Sequence, residues 1–290
     1  MSTTKKIIIT LIVVLVLGFI LSPFSKYVLS LGVMSVYSKM EEDESIMAEK
    51  KIDINMPGGD STAEADWYPF VMTFNSFDDF GNYIGNDNLK LTILYNFPAF
   101  DLWKGCSKIF DPASPYYSGF YGAYLVCQKT GTAGDDGKMY GFLPDGTVNS
   151  EEIGEIPKYD LQRLVLQDFG LEPQDATFQW EVTEVSYGEK VAGTEGWAKV
   201  DAKIKMNGLS HRKRDDVRSY IQYGAPNFPE NKDTDAEWEF APVEMVGRVY
   251  CKYLDREDTC VFLYVLAKTE MVLEKTDKDM LQNTVLQVAS

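Results

Sequence analysis

The sequence has few of the residues that neutral-pH catalysis usually relies on. It holds one histidine, His211, among 290 residues. Histidine is the usual general base near pH 7 and a common zinc ligand. A Ser-His-Asp or Cys-His mechanism would have to use His211, which sits in SHRKRDD after a turn. An exposed cationic loop is a poor place for a buried, oriented base. The motifs G-x-x-x-x-G-K-[ST], G-x-S-x-G and H-E-x-x-H are absent. Nucleotide hydrolysis, α/β-hydrolase chemistry and zincin chemistry therefore lose their usual support. No catalytic residue, metal site or cofactor is assigned. The sequon N-x-[ST] is also missing, which favours a bacterial surface protein over a eukaryotic secretory one.

Acidic residues are missing from the first 40 positions, which carry Lys5, Lys6, Lys26 and Lys39. The whole chain has a formal charge of −16, so the remaining 250 residues carry −20. That field disfavours nucleic acid, anionic lipid and anionic wall polymer as partners. The basic segment also holds the longest apolar run, IIITLIVVLVLGFIL over residues 7–21. Extended to Phe24 it reaches eighteen residues, about enough to cross a hydrocarbon core of roughly 30 Å as a helix. Lysines ahead of such a run favour the cytoplasmic side. The expectation is a signal-anchor helix at 7–24 in the cell membrane, with residues 1–6 inside and the rest of the chain outside. A cleaved signal peptide competes, with Val28/Ser30 or Ser30/Gly32 at positions −3 and −1 before the cut and a secreted product. A buried soluble helix is the third reading.

Cysteines are few: Cys106, Cys127, Cys251 and Cys260. Outside a cytoplasmic membrane an even number suggests disulfides. The run GRVYCKYLDREDTCVFLYV reads as two strands around a polar turn. Placing Cys251 opposite Cys260 leaves a four-residue loop and brings the Cβ atoms within bridging range. Cys106–Cys127 follows by elimination. A Cys₄ zinc site lacks any C-x₂-C spacing.

Residues 25–66 read as a charged helical stalk (39–51) and a flexible linker around Pro57-Gly58-Gly59. The folded region, 67–290, is expected to begin near Trp67, with a subdivision near residue 150. Strands are expected at 89–100, 120–129, 177–187, 196–206, 217–223, 243–254 and 259–268 from alternating or β-rich patterns. The clearest helix is expected at 157–169, opened by Pro157 and closed by Gly170. A second is expected at 277–289, capped by Thr276 with Asp279 three residues on. Strands in runs with two amphipathic helices give an α+β domain, its sheet mainly antiparallel and both helices on one face.

Two clusters invite a binding role. His211, Arg212, Lys213, Arg214 and Arg218 form the only basic cluster of the acidic region, suited to an anionic partner; charges pairing locally with Asp215 and Asp216 are the plainer reading. Residues 103–124 are rich in aromatics and glycine. Trp103, Tyr116, Tyr117, Tyr121 and Tyr124 could make a ligand platform, although aromatics more often pack inside. The acidic pairs Asp78-Asp79, Asp135-Asp136 and Glu151-Glu152 do not by themselves set two carboxylates across a bond, as glycosidases require. Residues 135–152 are rich in calcium-type oxygen ligands but lack an EF-hand loop. The functional expectation is a membrane-anchored, non-catalytic extracytoplasmic binding or assembly protein with a protein partner at the cell surface. A carboxylate-dependent surface enzyme acting on wall polymer or peptide is the alternative.

Overall fold

The computed structural model describes residues 3–59, 66–102, 106–129, 140–167, 169–209 and 240–289. The N-terminal apolar run forms helix α1 (Thr3–Ile20), and a second helix, α2 (Pro23–Glu44), follows at once. The break is local chemistry. Pro23 lacks an N–H and disfavours helical backbone in the residue before it. Ser22 is accordingly extended, at φ −82° and ψ 151°. The expected span over 7–24 is thus split. The apolar part of α1, Ile7 to Ile20, is about 21 Å long at 1.5 Å per residue, short of a core of about 30 Å. No helix among the described residues is long and apolar enough to cross a membrane. This corrects the transmembrane signal-anchor and the single-pass membrane localisation, and removes the ground on which the C-terminal domain is placed outside. Apolar side chains of α1 are exposed on every side, from 43 % at Phe19 to 64 % at Leu15.

From Ser30 onward α2 belongs to the folded body. It lies along strand β2 (Met72–Ser76). Ser30 Oγ shares a 3.0 Å hydrogen bond with the Tyr68 hydroxyl, and Thr73 N–H donates to Ser38 Oγ at 2.9 Å. The Asn75 backbone and side-chain amides both donate to the Glu41 carboxylate. Short helix α3 (Ile46–Lys50) and strand β1 (Ile52–Asn55) continue the chain, so these residues are not a stalk and linker. Helix α3 buries Ile46 and Met47, and β1 buries Ile52 and Ile54.

The centre is a seven-stranded antiparallel sheet. Besides β2 it contains β3 (Leu89–Asn96), β6 (Phe120–Gln128), β7 (Phe178–Val191), β8 (Thr194–Asn207), β9 (Pro242–Leu254) and β10 (Thr259–Ala267), in the order β2-β3-β6-β10-β9-β8-β7. Between β3 and β6 lies a small pair, β4 (Phe100–Asp101) and β5 (Cys106–Ser107). Residues before and after position 150 share the large sheet, because β10 inserts beside β6. The α+β class with a mainly antiparallel sheet agrees with the sequence reading. The helices do not share one face. Helices α4 (Asp78–Ile84) and α5 (Ser150–Tyr159) contribute Phe80, Ile153 and Ile156 to one apolar cluster. On the other face α3 and helix α6 (Glu270–Thr276) contribute Ile46, Met47, Val272 and Leu273 to a second. Burial on both faces explains why β6 and β10 read as nearly continuous apolar runs.

Both long helices start earlier than their sequence signals suggested. Asn149 caps α5, accepting from Glu152 N–H, so Pro157 falls inside the helix. Thr269, not Thr276, caps α6. Each helix ends in a π-helical turn, Asp160–Leu166 and Asp277–Leu281. Residues expected to be helical after 281 instead form β11 (Val285–Val288), which pairs antiparallel with β1. A further expected strand, 217–223, lies outside the described residues.

The cysteine hairpin exists with another register. Cys251 faces Phe262 and Cys260 faces Tyr253, with Leu254 opposite Thr259. Leu254 is buried and stays in its strand, which moves the four-residue turn to 255–258. Asp258 closes it with a left-handed φ of 48°. The two thiols are therefore diagonal neighbours. Cys127, Cys251 and Cys260 are all free and buried, which corrects both expected disulfides. The side chain of Cys106 lies outside the described residues. Burial pushes the Cys127 thiol up to about 11 and raises Cys251 and Cys260 further, so these thiols are poor nucleophiles.

Strand β7 is an outer edge of the sheet, but its edge is blunted. Its register slips at three places, and Glu181, Glu184, Glu189 and Lys190 lie along it. Bulges and charges of this kind deter strand addition.

Candidate binding cleft

A cleft of about 640 Å³ opens where the α4–β3 turn, the end of β6 and the start of α5 meet. Local sequence builds each wall. Gly85 takes the left-handed conformation that ends α4, at φ 72°. Asn86 N–H donates to Gly81 O at 2.9 Å, and Asn88 N–H donates to Asn86 Oδ1 at 3.2 Å. This tight turn holds Asn86 and Asn88 at the cleft. Pairing of Leu89 with Gln128 across β3 and β6 brings the Gln128 side chain beside them.

The α5 wall supplies Glu152 and Glu155, one turn apart on one helical face. Gly141 N–H donates to Glu152 Oε2 at 2.9 Å, and the Tyr140 hydroxyl donates to the Glu152 carbonyl at 2.9 Å. The Tyr83 hydroxyl donates to Glu155 Oε2 at 2.9 Å, while Lys158 reaches Glu155 Oε1 at 2.9 Å. Burial, followed by the Glu155 contact, raises the Tyr83 phenol above its ordinary value. Burial, followed by the Glu152 charge, does the same to Tyr140. Both therefore remain neutral hydroxyls. Phe80 packs edge-on against Tyr140, and Tyr159 packs at a tilt against Tyr83, which fixes the ring orientations. The side-chain amides of Asn88 and Gln128 have no hydrogen-bond partner among the described residues.

Two tyrosines, three primary amides and two carboxylates therefore line one space, and none of its lining side chains among the described residues is cationic. Such a lining can stack on a ring face, donate through amides and accept through carboxylates. Its two carboxylates disfavour an anion.

The residues singled out in the sequence lie elsewhere. Tyr116, Tyr117, Tyr121 and Tyr124 are buried, at 9 %, 7 %, 0 % and 1 %. Trp67 packs edge-on against Tyr116 and Tyr121, and Tyr124 stacks on Tyr264 at 4.1 Å, so these four rings serve the core. Trp103 and the basic cluster His211, Arg212, Lys213, Arg214 and Arg218 lie outside the described residues, as do positions 135–139. Among the described residues, no group of three His, Cys, Asp or Glu side chains could hold a metal ion.

Sequence reasoning missed Tyr83, Asn86, Asn88, Gln128, Tyr140 and Glu155. One signal was available: Asn86-Asp87-Asn88 is a turn with more amide groups than the turn requires. The approach of Gln128 and Glu152 to it is a tertiary event with no local trace. Comparisons with protein-family models, with curated proteins and with solved structures find no match to this chain.

Proposed function

We propose that the chain is a binding protein without catalysis of its own, holding a neutral, hydroxyl-rich ligand of the saccharide class in this cleft. The observation that carries the reading is the pair of amides, Asn88 and Gln128, which have no side-chain partner among the described residues and face the same space as two tyrosines and two carboxylates. Polar groups that converge on a cleft within the volume range of ligand sites can orient a bound ligand. Sugar hydroxyls both donate to carboxylates and accept from amides. Anionic ligands meet two carboxylates and a charge of −20 over the last 250 residues.

The competing reading, a carboxylate-dependent enzyme acting on a wall polymer or peptide, has one observation in its favour: Glu152 and Glu155 share the cleft. They stand side by side on one helix, however, and each accepts hydrogen bonds from the protein. Glycoside hydrolysis needs its two carboxyl groups flanking the scissile bond.

Isothermal titration with neutral cello-, malto- and chito-oligosaccharides tests the proposal. Saturable binding by at least one of them, weakened about tenfold or more in Gln128→Ala or Asn88→Ala, is expected; loss of a buried hydrogen-bond partner costs about 1–3 kcal/mol. No binding at millimolar concentration would overturn it. Release of shortened products that Glu152→Gln abolishes would replace it with the enzyme reading.

A further inference from the structure

A second cleft, about 420 Å³, lies on another side of the molecule between α2, α3, β1 and β2. Its apolar lining includes Met47, Ile54, Met56, Val71 and Leu94, and its acids are Glu42, Asp43 and Asp53. Lys39 bridges Glu42 and Asp43 at 3.1 and 3.6 Å, so these four charges sum to −2.

The backbone of β1 adds a feature that the side chains alone do not reveal. Ala289 N–H donates to Lys51 O at 3.1 Å, and Ile52 is opposite Val288. Hydrogen-bonded pairs alternate in an antiparallel ladder. Lys51–Ala289, Asp53–Gln287 and Asn55–Val285 are therefore the bonded pairs. The N–H and C=O groups of Ile52 and Ile54 must point away from β11. The Leu286 N–H confirms the alternation on the partner strand, since it turns outward to Ala192 O at 3.1 Å. Ile52 and Ile54 line the cleft, and their backbone groups have no hydrogen-bond partner among the described residues. Unlike β7, this edge shows no bulge in its pairing.

We propose that this cleft takes a short extended peptide carrying basic side chains, which adds to the free edge of β1 as a third strand. Backbone pairing with Ile52 and Ile54 would supply affinity. Alternate side chains would meet Met47 and Met56 on one side and the carboxylates at the rim on the other. Charge selects the occupant: an acidic peptide meets three carboxylates. This site is independent of the saccharide reading and involves none of the same residues.

The test uses full-length protein labelled at its methionine methyls, with three acetylated, amidated peptides: Val-Lys-Val-Lys, Val-Glu-Val-Glu, and Val-Lys-Val-Lys with N-methylated alternate amides. Saturable shifts of the Met47 and Met56 methyl signals are expected with the first peptide and not with the other two. Each of Glu42→Gln and Asp53→Asn should weaken binding about threefold, the scale of one exposed charge pair. Equal binding of the N-methylated peptide would overturn strand addition. So would the absence of any Met47 or Met56 shift at millimolar peptide, or equal binding of the acidic peptide.

Discussion

Replacing Asp160 with asparagine should remove the pH dependence that this residue imposes on stability. Asp160 opens the π-helical turn after α5 and is almost fully buried. Its carboxyl accepts a 2.8 Å hydrogen bond from the Tyr124 hydroxyl, and Tyr124 stacks on Tyr264 in nearly parallel rings. Burial pushes its pKa from 3.8 up to about 7, and the Tyr124 bond offsets only part of that. A group whose folded pKa is raised binds more protons folded than unfolded between those two values. Its stabilising share is complete below about pH 4 and is lost as pH rises to about 7. At 1.36 kcal/mol per tenfold change in proton affinity, the loss is about 4 kcal/mol at pH 8. The amide of the Asp160→Asn variant would keep the shape and the acceptor oxygen without ever becoming charged. Urea unfolding of both proteins at pH 5, 6, 7 and 8 should give curves that diverge in favour of Asp160→Asn as pH rises. A fixed cost of the new amide would shift all pH values alike, so the divergence is the test. Parallel curves, or divergence in the opposite direction, would refute the burial argument.

Three other predictions concern the sheet. Arg248 on β9 donates to Asp201 Oδ1 at 2.7 Å, Asp277 Oδ2 at 2.6 Å and Glu274 Oε1 at 2.9 Å, joining β8 to α6 and the turn after it. Arg248→Ala should cost about 3–5 kcal/mol in urea unfolding, because it leaves buried Asp277 without its cation and Asp201 with Lys199 alone; a loss below about 1 kcal/mol, the scale of an exposed pair, would contradict that role. Gly122 on β6 has no room for a Cβ, which would strike the Leu94 carbonyl and meet the Tyr264 hydroxyl at 3.1 Å. Gly122→Ala should lower the melting temperature by roughly 10 °C or more, the scale of a loss of a few kcal/mol; an unchanged value would show that β3 and β6 separate easily. Under denaturing, non-reducing conditions at least three cysteines should react with iodoacetamide, since Cys127, Cys251 and Cys260 are free; two or fewer would restore a disulfide.

Much of the sheet was legible because β3, β6, β8, β9 and β10 carry their own pattern. Lys199, Lys203 and Lys205 alternate with buried Val200, Ala202, Ile204 and Met206 on β8. Trp197 shares the lysine parity yet is fully buried, with its indole donating to Thr194 Oγ1 and Lys252 lying over its ring. Strand β1 was read as linker because its partner, β11, is more than 200 residues away and only four residues long. The N-terminal run misled because composition favours a continuous span, whereas Ser22-Pro23 divides it. Both helix starts were misplaced for a related reason: Pro157 is a plausible first helical residue and Thr276 a plausible cap, but Asn149 and Thr269 accept the capping hydrogen bonds. The cleft could not be read at all, since its lining comes from separate segments that meet only in the fold.

The saccharide cleft is tested most directly by locating a bound ligand. Full-length protein labelled at its tyrosine rings would be titrated with the tightest-binding neutral oligosaccharide and followed by NMR. Shifts confined to Tyr83, Tyr140 and the Tyr159 ring packed behind them are the predicted result. Shifts centred elsewhere, or none at saturation, would contradict it.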